Sequence, residues 1–91
     1  MKPARHLVST RRPVPASRRG EYDAGWARVH AEATAHGAHA WRFVSAARAD
    51  LFLEFLEFRS DADPRSAPPL AEALARLEAA FAGEAEEWEE L

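Results

Sequence analysis

The stretch that decides the fold is a pair of segments, His39-Ala40-Trp41-Arg42-Phe43-Val44-Ser45 and Leu51-Phe52-Leu53-Glu54-Phe55-Leu56-Glu57-Phe58. In the first, His39, Trp41, Phe43 and Ser45 alternate with Ala40, Arg42, Val44 and Ala46, a period of two that marks a strand. The second is rich in aromatics and apolar on both faces, so something must cover each side of it. Only a short turn around Ala47-Arg48-Ala49-Asp50 separates them. Two strands so joined form an antiparallel hairpin.

Upstream of the hairpin the period becomes 3.6. Tyr22, Trp26, Val29 and Ala33 recur at i, i+4, i+7 and i+11, one face of an amphipathic helix. Ser17 is placed to cap its start, and Gly37 to end it. Before that helix, Ala4 to Arg12 reads as a strand stopped by Pro13 and Pro15. Downstream, Arg59 to Pro69 is a proline-rich loop, and a helix starts near Pro68 or Pro69, where proline costs least. Its face is Leu70, Leu74, Leu77 and Phe81, and Gly83 ends it. Residues 84–91 suit a short fourth strand anchored by Trp88, a helical continuation or a tail. The whole is α+β: strand, helix, strand, strand, helix and a final optional strand, in a single domain over 1–91.

Composition narrows the function classes. Cysteine is absent, which removes disulfides, thiolate nucleophiles and cysteine-based metal sites. The first 20 residues contain no apolar run resembling a signal peptide, and no stretch approaches a membrane span. A soluble, cytoplasmic protein is expected. The net charge of −3 hides an asymmetry. Lys2, Arg5, Arg11, Arg12, Arg18 and Arg19 crowd the first 20 residues with no acid; Glu84, Glu86, Glu87, Glu89 and Glu90 crowd the last 8 with no base. Such ends attract if they lie side by side, within a chain or across a dimer.

The chemistry-bearing candidate is Glu54. It shares a strand face with Phe52, Leu56 and Phe58, where an unpaired carboxylate would be costly to bury. Arg42 is its natural partner, because an even register places both on one hairpin face. Trp41 and Phe43 would then face the helices. Together Arg42, Glu54, Phe52, Leu56 and Phe58 would form a polar centre in an apolar, ligand-sized space, or an ion pair that merely closes the sheet. His6, on the first strand, is the histidine best placed to join them. His30, His36 and His39 straddle a helix end and a glycine turn, so no metal site is expected. Nucleic-acid binding is not expected either: Phe55-Leu56-Glu57-Phe58 imitates an aromatic RNA-binding strand, but its glutamates would repel phosphate.

In the helix ending at Gly37, the Trp41 and Phe52 hairpin and the Leu70 helix, the chain resembles the ferredoxin-like dimeric α+β barrel superfamily, which includes antibiotic-biosynthesis-monooxygenase-like proteins. The resemblance implies a βαββα(β) order, an antiparallel sheet with two helices on one face, and a homodimer in which two sheets close face to face through Phe52, Leu56 and Phe58. It implies a ligand-binding or structural role, with a small apolar ligand and no cofactor. The alternative is a cofactor-independent monooxygenase acting on a small apolar or aromatic substrate. Relatives that degrade haem use a tryptophan, an asparagine and a histidine; this chain has no asparagine, so that role does not carry over.

Overall fold

The computed structural model describes residues 3–91; Met1 and Lys2, the latter part of the basic N-terminal cluster, lie outside the described residues. Strands β1 (Arg5–Pro13), β2 (His39–Val44), β3 (Leu51–Arg59) and β4 (Glu84–Glu89) form one sheet in the order β2-β3-β1-β4, every neighbouring pair antiparallel. Helices α1 (Arg19–Ala35) and α2 (Pro68–Ala80) cover one face. The fold is the ferredoxin-like α+β arrangement.

The helical periodicity translates directly into packing. Tyr22, Trp26, Val29 and Ala33 are buried residues of α1, and Leu70, Ala73 and Leu77 are those of α2. Leu74 is only partly buried against the same core. Ser17 does not cap α1. It sits inside a 3-10 turn, Ala16–Arg18, closed by Arg18 N–H donating to the Pro15 carbonyl at 2.9 Å, so α1 starts at Arg19 without a side-chain cap. The far end is as expected. Gly37 takes φ +77°, its N–H donates to Thr34 O, and Ala38 N–H reaches Ala33 O. These two bonds satisfy carbonyls that the last helical turn leaves free.

Residues 84–91 contain a true strand. β4 pairs with β1 from Arg11↔Glu84 to His6↔Glu89. The acidic and basic ends therefore meet within one chain. Arg5 Nη2 lies 2.7 Å from Glu90 Oε2, and His6 Nε2 lies 2.7 Å from Glu87 Oε1. Four like charges in a short strand, with Glu90 just beyond it, are tolerated because β1 supplies the opposite sign.

The hairpin's faces are the reverse of the sequence expectation. Phe52, Leu56 and Phe58 point at the helices and are buried there with Tyr22, Trp26 and Phe81. They are core, not the wall of a space between two sheets. Trp41 and Phe43 do not face the helices; they share the opposite, open face with Phe55, Leu53 and Leu7. The alanines of α1 leave room for large rings, but β3 supplies those rings. β3 is a central strand, so its side chains reach under both helices, whereas β2 lies at the sheet edge.

Candidate functional site

On the helix side a polar group is built into the core. Glu54 is 5% exposed and Arg12 3%. Arg12 comes from β1, which neighbours β3, and its side chain reaches along the strand to Glu54. Nε lies 3.1 and 3.0 Å from the two carboxylate oxygens, and Nη2 lies 3.0 Å from Oε1. Nη1 donates to Glu78 Oε2 at 2.7 Å and to the Phe81 carbonyl. The Tyr22 hydroxyl, on α1, donates to Glu54 Oε2 at 2.7 Å. Among the described residues no buried side-chain nitrogen or oxygen lacks a partner. A buried ion pair is tolerable only when its remaining donors and acceptors are met in this way.

The electrostatics follow from that enclosure. Burial works against the Arg12 charge, but hydrogen bonds and attraction from Glu54 and Glu78 outweigh it and hold the guanidinium more firmly protonated than usual. The Arg12 hydrogen bond holds the Glu78 carboxyl below its ordinary range. Burial, then the hydrogen bond to Glu54, pushes the Tyr22 phenol far above its ordinary range. Arg12, Glu78 and Tyr22 thus each prefer the protonation state they have at neutral pH. None is poised to exchange a proton there.

Arg42 shares the Glu54 face, as the even register requires, and stands directly opposite it. Its guanidinium turns to Asp23 on α1, with Nη1 2.7 Å from Oδ1. It also lies 5.1 Å from the Tyr22 ring and 5.7 Å from that of Trp26. The expected Arg42–Glu54 pair is therefore replaced by Arg12–Glu54 and Arg42–Asp23. Arg12 was readable as a base near the end of the first strand. What concealed it was the strand order, since only the β1–β3 pairing brings it to Glu54.

His6 sits at the other end of β1. It stacks on Phe58 at 5.2 Å and bonds Glu87, whose carboxylate also meets Arg65 Nη2 at 3.1 Å. It is not joined to Glu54. Between the helices and the sheet, Val8, Thr10, Trp26, Leu56 and Glu54 border a cavity of about 50 Å³. Small-molecule sites usually span about 300–1,000 Å³. No three histidine or acidic side chains among the described residues gather as a metal site would require. No described helix is long and apolar enough to cross a membrane.

The open face is the second feature. Trp41, Phe43 and Trp88 are 36%, 57% and 50% exposed, and Leu7, Leu51, Leu53 and Phe55 lie half-buried among them. Trp41 stacks on Phe55 at 5.2 Å, and the Trp88 indole N–H donates to Ser9 Oγ at 2.9 Å.

No family model matches the chain, and no curated protein matches it in sequence. Solved structures do match it in fold. A conserved protein of unknown function from Bacteroides thetaiotaomicron, described as a possible oxidoreductase, superposes with a TM-score of 0.81 at 14% identity, over 96% of this chain and 98% of that one. SnoaB, a cofactor-independent oxygenase from Streptomyces nogalater, gives 0.79 at 15% identity, over 92% and 90% of the two chains. A candidate antibiotic biosynthesis monooxygenase from Bordetella bronchiseptica gives 0.70 at 14% identity, over 97% and 98%. The chain has the ferredoxin-like fold shared by these antibiotic-biosynthesis-monooxygenase-like proteins, and at such identities the likeness is one of fold.

Proposed function

We propose that this protein is a self-associating α+β module in which two copies close over the open faces of their sheets. One observation carries the reading: Trp41, Phe43 and Trp88 stand exposed on one face around a half-buried apolar stripe, while the helix side is complete in itself. Soluble monomers seldom leave a contiguous apolar patch of this kind uncovered. In this reading Phe52 and Phe58 are core, Arg42 is an edge clasp, and Glu54 is a structural ion. Sedimentation equilibrium tests it. Wild type should have twice the chain mass at micromolar concentration, and a Trp41→Glu, Phe43→Lys variant should be monomeric yet folded.

A second reading is a cofactor-independent oxygenase acting on a small aromatic compound. It is supported by the likeness to SnoaB and by the cavity bordered by Trp26, Leu56 and Glu54. The SnoaB structure compared is an asparagine-to-alanine variant, and this chain has no asparagine to offer in return. The cavity would also have to grow several-fold to admit one aromatic ring. Oxygen uptake with a panel of phenols and hydroquinones, compared between wild type and Trp26→Ala, separates the readings. Uptake that needs Trp26 would favour the enzyme.

A further inference from the structure

The two edges of the sheet are finished differently. β4, at one edge, has glutamate at four of its six positions. Charge of this kind keeps an edge strand from pairing with foreign chain. β2, at the other edge, reads His39-Ala40-Trp41-Arg42-Phe43-Val44 and has no proline, lysine or acid. Its one permanent charge, Arg42, is drawn toward α1 by Asp23. The backbone of this edge has a definite polarity. Ser45 N–H donates to the Leu51 carbonyl at 2.8 Å, so along the antiparallel ladder Phe43 and Trp41 also turn their polar groups to β3. Ala40, Arg42 and Val44 turn theirs outward, and each offers an N–H and a C=O to the free edge.

Side-chain chemistry selects what fits there. Asp23 Oδ1 accepts from Arg19 Nε at 3.0 Å and from Arg42 Nη1 at 2.7 Å. One carboxylate serves two guanidiniums, so the trio keeps a positive charge. Four and seven residues beyond Asp23 on α1, Ala27 and His30 fall on the same side of the helix, and both are exposed. This flank of the edge therefore presents bases and a methyl group, and its one acid is already shared. On the other side of the sheet Trp41 and Phe43 stand exposed. A strand laid along β2 would turn the residue opposite Arg42 toward the two guanidiniums and the residues on either side of it toward Trp41 and Phe43. We infer that β2 is a docking edge for an extended segment of a different protein, apolar–acidic–apolar in sequence, that adds a fifth strand and sets its carboxylate on Arg42 and Arg19. A second copy does not suit this edge. β2 against β2 brings two positive Arg19–Arg42 pairs together, and β2 against the β4 of a copy is a head-to-tail contact that does not close. The edge uses backbone and the Arg19–Arg42 pair, so it is available whether or not two copies close over the open face.

Fluorescence anisotropy with a dye-labelled Thr-Val-Glu-Val-Thr peptide tests the edge. The palindromic order suits either strand direction, and the dissociation constant should lie below about 1 mM. Replacing the peptide's glutamate by lysine, or Arg19 by glutamine, should weaken binding at least about 10-fold. Val44→Pro removes one outward N–H at an exposed position and should weaken it by at least about as much, with the circular dichroism spectrum unchanged. The decisive probe leaves the protein untouched. N-methylation of one alternate set of peptide amides should abolish binding, while methylation of the other set should change it less than about 3-fold, because only every second N–H of an added strand faces its neighbour. That comparison holds even if Val44→Pro unfolds the chain. A dissociation constant above 1 mM, or a uniform response to methylation, overturns the inference. A fall in the mass of wild-type assemblies caused by Val44→Pro in sedimentation would also overturn it, and would give the edge to a second copy.

Discussion

Arg42 and Glu54 stand directly opposite one another on β2 and β3, on the same side of the sheet, and bond to different partners. Glu54 takes Arg12 and Tyr22; Arg42 takes Asp23. The arrangement places the more deeply buried guanidinium against the more deeply buried carboxylate. Arg42, nearer the sheet edge, meets a half-exposed aspartate and covers Tyr22 and Trp26 with its planar head.

Double-mutant cycles should separate these pairs. Arg12→Met or Glu54→Gln alone should cost roughly 3–5 kcal/mol, since each leaves a buried group unmatched. The double variant should lose clearly less than the sum. For Arg42→Met with Glu54→Gln, coupling should be clearly smaller than for Arg12 with Glu54, because these two neighbours share Tyr22 but form no ion pair with each other. Urea denaturation provides all the values. A larger coupling for Arg42–Glu54 than for Arg12–Glu54 would contradict the assignment.

Tyr22 provides a pH-dependent readout, helped by being the only tyrosine. Its phenol is buried and donates to a carboxylate, so its folded pKa is raised. A raised pKa stabilises the fold at pH values below the unfolded pKa of about 10, and that contribution is lost as pH climbs above it. Ultraviolet titration should therefore show no tyrosinate until the protein unfolds, in one step with loss of circular dichroism. A reversible tyrosinate signal near pH 10 in folded protein would show the hydroxyl to be free.

Two glycines differ in what they tolerate. A Cβ on Gly83 would lie 2.9 Å from the Arg11 carbonyl oxygen and 2.9 Å from the Thr10 methyl, where α2 turns into β4 against β1. Backbone cannot yield as a flexible side chain can, so Gly83→Ala should cost about 1–3 kcal/mol. Gly37→Ala meets open space but must hold a left-handed φ, and should cost about 1–2 kcal/mol. Thermal melts of both, with Gly20→Ala as a control that meets neither obstacle, check the pair.

The elements were legible in the sequence because each rests on local periodicity. Tyr22, Trp26, Val29 and Ala33 had only to fall on one helical face, and the hairpin register followed from a short turn. Which face of β3 meets the helices was not legible. A strand apolar on both sides offers Phe52, Leu56 and Phe58 against Leu51, Leu53 and Phe55, two nearly equal sets. The discriminating fact was on another strand: Arg12 stands beside the Glu54 face only because β1 lies next to β3. That contact spans 42 positions of sequence.

Trp88 shows the same limit and yields the last prediction. As the one large apolar residue among five glutamates, it reads as the buried anchor of the final strand, worth on the order of 3 kcal/mol if truncated. In the structure it is half exposed on the open face, held by its N–H bond to Ser9 and by contact with the Leu7 side of β1. β4 is anchored instead by its ladder with β1 and by the Arg5–Glu90 and His6–Glu87 contacts. Trp88→Ala should therefore lower the stability of the isolated protomer by no more than about 1 kcal/mol, the scale of one neutral hydrogen bond. The same substitution should strongly weaken self-association, where a tryptophan on an apolar face typically dominates the binding energy. Melts at nanomolar protein by fluorescence of the remaining tryptophans would report the first effect, and sedimentation at 50 µM, well above a micromolar dissociation constant of roughly −8 kcal/mol, the second. A large loss of stability with unchanged association would return Trp88 to the role the sequence suggested.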